Sequence, residues 1–127
     1  MPQTLTFFML LNSQPSWLAL SRSERLGYID ETISPILARY PQVSLRFYDA
    51  EAFSGRCTDI AVFETADTRA YTFLIDALRD TAFLGLPYFQ VVDIIPAVEN
   101  GYQDYDADQS ASGESVSGFA AQRAPTI

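Results

Sequence analysis

The chain has 127 residues, 48% of them hydrophobic and 13% aromatic, enough apolar material for one compact domain and too little length for two. Sixteen acidic residues against eight basic ones, all arginine, give a net charge of −8, which repels phosphate backbones and anionic lipid, so neither nucleic acid nor a membrane is expected as a partner. Histidine is absent, which removes Ser-His-Asp and Cys-His nucleophiles, the HExxH zinc motif, histidine-held haem and the ordinary transition-metal clusters.

The single Cys57 has no intrachain partner for a disulfide, and "MPQTLTFFMLLNS" carries neither a basic leader nor an apolar span of about 20 residues. A soluble, cytoplasmic protein is expected. The six glycines are scattered rather than clustered behind a strand, so no phosphate-binding loop is formed, and no cofactor is expected from the residues.

Taken in chain order, "TLTFFMLL" (residues 4–11) is a mostly apolar strand, followed by a turn around Asn12 to Trp17. "SRSE" supplies a capping box, Ser21 with Glu24, and Leu26, Ile29, Ile33, Ile36, Leu37 and Tyr40 recur at helical spacing. Pro35 removes the hydrogen bond to the carbonyl of Glu31, so a kink or a short second helical turn is predicted there. Residues 43–49 and 57–64 alternate as two antiparallel strands around a turn at Gly55. Asp67 caps a second helix with a Tyr71, Leu74, Ile75, Leu78 stripe, ending near Gly85 and Pro87, and residues 88–96 form the last strand.

The order βαββαβ predicts an α+β, ferredoxin-like domain over residues 1–102: a four-stranded antiparallel sheet with two helices on one face. From Gln103 onward, "QDYDADQSASGESVSGFAAQRAPTI" offers little to bury beyond Phe119, and residues 103–127 read as a disordered acidic, serine-rich tail, either solvated or closing over a partner.

Strand parity divides the sheet between two faces. Phe7, Met9, Leu11, Leu45, Phe47, Ile60 and Val62 are expected against the helices; Phe8, Arg46, Tyr48, Asp59, Ala61, Phe63, Phe89, Val91, Asp93 and Ile95 are expected on the helix-free face. That second set, half aromatic and half charged, suits a face that packs on a second copy and leaves a lined cavity, so a homodimer is expected.

The segments "FFMLLNSQPSWLAL", "SLRFYDAEAFSGRCTDIAVFETAD" and "VVDIIPAVENGY" together resemble darcynin-like proteins over about residues 4–102. The resemblance implies kinship with the ferredoxin-like group that pairs sheets into a dimeric α/β barrel. That group includes cofactor-free monooxygenases, polyketide cyclases, muconolactone isomerase-like enzymes and haem-dependent enzymes. Haem-dependent members commonly use a histidine ligand and cyclases often a histidine base; this chain has neither, and no catalytic motif carries over.

The residues themselves leave alternatives open. Arg46 with Asp59 forms either a cross-strand ion pair or part of a ligand site. Asp93, isolated in "VVDII", either pairs with Arg46 or has a raised pKa suited to proton transfer, and Tyr48 is packing or an acid. Asp49, Glu51 and Arg56 flank a turn, where solvated charges are ordinary. Asn12 and Trp17 line a cavity mouth or staple the first helix. Cys57 reads as a packed thiol. Three functions fit: a cofactor-independent enzyme on an aromatic or polyketide-like molecule, with Asp59, Asp93 or Tyr48 moving a proton and Arg46, Phe8, Phe63, Phe89 and Trp17 holding the substrate; a small-ligand binding protein; or a structural dimer.

Overall fold

Four strands, β1 (Leu5–Ser13), β2 (Ser44–Asp49), β3 (Asp59–Thr65) and β4 (Phe89–Ala97), form one sheet in the order β2-β3-β1-β4 with every neighbouring pair antiparallel. They come from a computed structural model that describes residues 3–111. The βαββαβ order predicted from periodicity is the one formed, and it makes β1 and β3 the central strands, with β2 and β4 at the edges.

The first crossover is one helical run in pieces. A short helix α1 (Pro15–Leu18), not foreseen in the sequence, precedes α2 (Arg22–Tyr28), a π-helical turn (Ile29–Ile33) and α3 (Ser34–Arg39). The capping box is present: the Ser21 hydroxyl accepts the Glu24 N–H and the Glu24 carboxylate accepts the Ser21 N–H. At Pro35 the run passes through the π turn into a short second helical segment, α3, one of the two outcomes expected there. The Ser34 N–H reaches back five residues to the Ile29 carbonyl, and Pro35 falls in the first turn of α3, where its missing N–H costs least.

The second crossover is α4 (Thr68–Arg79), capped by the Asp67 side chain accepting the Ala70 N–H, followed by α5 (Ala82–Gly85). Gly85 is required there, because a Cβ at that position would stand 2.7 Å from the Arg79 carbonyl oxygen. Met9, Leu11, Ala61 and Phe63 of the sheet meet Ile33, Ile36, Tyr71, Leu74 and Leu78 of the helices in one core, with Phe7 stacked on Tyr71 at 3.8 Å.

Two expectations about the faces are corrected. In β3 it is Ala61 and Phe63, each 2% exposed, that face the helices, opposite Met9 and Phe7 of β1. Ile60 and Val62 take the other face. In β4 the register against β1 slips between Leu10 and Leu11, so the strand does not keep one parity. Asp93 and Ile95 lie on the face turned away from α3 and α4, opposite Leu10 and Phe8, whereas Phe89 and Val91 share the face of Ser13 and Leu11, and Phe89 is 4% exposed in the core.

A second unit begins at Val98 and contains α6 (Tyr102–Ala111). Composition pointed to disorder from Gln103; residues 102–111 instead form a helix without an apolar face, so a test for buried residues passes it over. Asn100 adopts φ 48°, and its carbonyl and that of Gly101 accept the N–H groups of Gln103 and Asp104. The rest of the expected tail, Phe119 included, lies outside the described residues.

Candidate functional site

The helix-covered side of the sheet holds a partly open cavity of about 180 Å³. Its floor is Met9, Ala61, Phe63 and Phe89 on three strands, and its roof is Ile29, Ile33 and Leu37 from the π turn and α3. Those three residues are spaced i, i+4, i+8; on an unbroken α-helix such positions drift around the axis, and the wider π turn counters the drift and keeps all three over the cavity. Trp17, Leu45, Phe47, Leu78 and Phe83 complete the wall. Every lining residue is apolar.

Aromatic rings build one end of the cavity around Phe89. Its ring centroid lies 4.9 Å from Phe83, 5.1 Å from Trp17 and 6.1 Å from Phe47, the last edge-on at 83°. Trp17 is held in place from both crossovers: Tyr28 of the first and Tyr88, just before β4, pack against it, and Arg25 donates to the Trp17 and Leu18 carbonyls at 3.2 and 3.1 Å while lying over the indole. The Tyr28 hydroxyl accepts the Phe83 N–H at 2.9 Å, tying α2 to α5. Phe47, on edge strand β2, is the exposed member of the lining, at 48%.

The residues singled out in the sequence are thus divided. Trp17, Phe63 and Phe89 line the cavity, but on the helix-covered side and not on the opposite face. Arg46, Tyr48, Phe8 and Asp93 are on the face turned away from α3 and α4, in two adjacent rows: Arg46, Val62, Phe8, Ile95 and Tyr48, Ile60, Leu10, Asp93. Asp59 is on the helix-covered side, in the row Asp49, Asp59, Leu11, Val91.

This geometry removes the expected cluster of Arg46 with Asp59 and Asp93. Arg46 is on the opposite face from Asp59. From Asp93 it is separated by three strand spacings, roughly 14 Å. Among the described residues no carboxylate forms an ion pair with Arg46. The Asp93 carboxylate accepts the N–H of Ile94 in an exposed position.

Asp59 has a distinct environment. Burial raises its pKa, the Thr58 hydroxyl donating at 2.7 Å lowers it, and the charges of Asp49 and Glu51 raise it again. Asn12 accepts the Thr58 N–H, and the Thr58 hydroxyl oxygen accepts the Ser13 N–H, so this corner holds the end of β1 to the start of β3. Cys57 is buried, as expected. Among the described residues no group of three metal-ligating side chains occurs.

Periodicity had marked Ile29, Ile33 and Leu37 as core, which they are. Nothing in the spacing of apolar residues distinguishes a filled core from one with a gap; the alternation of β2 places Phe47 on the correct side, whereas Phe83 has no separate signal.

A family model described as "Darcynin, domain of unknown function" matches residues 1–113. A Chromobacterium violaceum protein named Darcynin is 60% identical over 75 residues, 59% of this chain and 95% of the relative. Darcynin 1 of Acinetobacter baumannii is 48% identical over 90 residues, 71% of this chain and all of the relative. Among solved structures, a chlorite dismutase from Candidatus Nitrospira defluvii in complex with imidazole superposes with a TM-score of 0.62 at 13% identity, over 75% of this chain and 39% of that one. A mutant of the same enzyme gives 0.63 at 14% identity, over 90% and 50%. The chain therefore spans half or less of the length of these structures, and at such identity the likeness shows the fold.

Proposed function

The chain belongs to the darcynin family, and from that premise we propose that it is a cytoplasmic, homodimeric binding protein for a small neutral molecule of single-ring aromatic size. The observation that carries this reading is the apolar cavity of about 180 Å³ between sheet and helices. A dry apolar cavity of about 150 Å³ takes up a benzene-sized molecule. The rings around Phe89, edge-on at Phe47 and tilted at Phe83 and Trp17, favour an aromatic guest by offering further ring contacts.

Binding is preferred to catalysis because the cavity wall offers no group to move a proton. Asp59, the carboxyl with the raised pKa, stands one residue row beyond Ala61 and outside the lining. The dimer is supported by Phe8, Tyr48 and Ile95, which expose apolar surface on the face turned away from α3 and α4. It is supported too by solved neighbours that are about twice this chain's length, leaving room for a second copy where they have further chain. Among the described residues no helix is long and apolar enough to cross a membrane.

Trp17, the single tryptophan of the sequence, reports on the site directly. Titration with toluene should change its fluorescence saturably and raise the melting temperature, and Ala61→Leu, which fills the floor, should abolish both effects while the variant remains folded. An unchanged Trp17 signal together with an unchanged melting temperature in the native protein would sink the binding reading.

A further inference from the structure

On the face of the sheet turned away from α3 and α4, Leu10 is already buried at 9% exposure, while Phe8, Tyr48 and Ile95 stay exposed. The two central columns of this face, Val62 with Ile60 and Phe8 with Leu10, are apolar, while Arg46 stands on one edge strand and Asp93 on the other. Glu64, one row further along β3, takes the Thr6 hydroxyl at 3.2 Å. An apolar centre bordered by exposed charges is the anatomy of a protein interface.

Resting on the homodimer reading above, we infer that two copies pack these faces about a two-fold axis parallel to the strands, pairing Arg46 of each protomer with Asp93 of the other. Two orientations of a two-fold axis lying in the plane of the interface bring the sheets together in register. An axis perpendicular to the strands lays β2 over the partner's β2 and β4 over its β4, so arginine faces arginine and aspartate faces aspartate. An axis along the strands, between β3 and β1, lays β2 over the partner's β4. It superposes the apolar columns and sets opposite charges at both edges, twice, as an isologous contact requires.

The distances suit the pairing. Arg46 and Asp93 occupy adjacent rows, offset by about 7 Å along the strand, and packed sheets are about 10 Å apart, a gap that a long arginine side chain crosses. Two copies of a chain of net charge −8 repel each other, and two cross-pairs offset part of that repulsion while selecting one orientation over the other.

Charge reversal tests this on the full chain by sedimentation at a series of concentrations. Arg46→Asp alone and Asp93→Arg alone should each weaken the dimer at least tenfold, and the double variant Arg46→Asp, Asp93→Arg should restore it. Both positions are exposed, so circular dichroism should show each variant folded. A native protein that sediments as a monomer overturns the dimer itself. Single variants as dimeric as the native protein, or a double variant no tighter than the singles, overturn the pairing and leave the dimer standing.

Discussion

Phe63 and Asp59 lie on one strand and point to the same side of the sheet, yet they meet opposite fates. The Phe63 ring is in the core, edge-on to Tyr71 at 5.6 Å. Phe63→Ala should cost about 3–5 kcal/mol in urea denaturation, the range for a buried aromatic; a loss under about 0.5 kcal/mol is what a surface position would give. Asp59, at the margin, pays for partial burial. Its folded pKa lies above the ordinary 3.8, so below the unfolded pKa both states hold the proton and no penalty exists. As pH rises through the folded pKa the unfolded state ionises more readily and the fold loses stability. Asp59→Asn keeps an acceptor for the Thr58 hydroxyl and removes that penalty. Its melting temperature should exceed the native protein's at pH 7, with the gap closing as the pH approaches 3.8, and a gap independent of pH would refute this account.

At the scale of elements, α5 shows how a four-residue helix places a cavity wall. Gly85 allows it to turn in beneath the end of α4, which sets Phe83 against Phe89. Gly85→Ala brings a Cβ onto the Arg79 carbonyl, and backbone must move, so a loss of about 1–3 kcal/mol is expected in thermal or urea unfolding. A neutral substitution would mean that α5 shifts freely. The strand order, the capping box of Ser21 and Glu24 and the stripe of α4 were legible because each has a local signature. The parity of β3 was not, since "DIAVFE" is apolar on both faces, Ile60 and Val62 on one and Ala61 and Phe63 on the other. What decides it is the loop between β2 and β3. The Ala50 N–H bonds to the Thr58 carbonyl and Asp49 pairs with Asp59, a register no periodicity encodes. The slip in β4 is likewise a pairing event, and it moved Phe89 into the core. Both misplacements put Phe63 and Phe89 on the other face of the sheet from the one they occupy.

On the scale of the whole molecule, the sheet separates the two proposed tasks. The cavity is formed by Met9, Ala61, Phe63 and Phe89 on one side, and the proposed interface by Arg46, Phe8, Val62, Asp93 and Ile95 on the other, with no residue shared. Sites that share no partner and are separated by more than about 7–10 Å combine additively to within about 0.3–0.5 kcal/mol, a factor of about two in affinity. The toluene affinity of the Asp93→Arg variant, measured where it is monomeric, should therefore match that of the native dimer within about twofold. The comparison needs only Trp17 fluorescence at two protein concentrations for each form. A tenfold loss in the monomer would mean that the partner copy shapes the cavity through the sheet, because the same strands supply Met9 and Ala61 to one face and Phe8 and Val62 to the other. Equal affinity would show a binding unit complete in each protomer, with assembly serving to cover the apolar face and not to build the site.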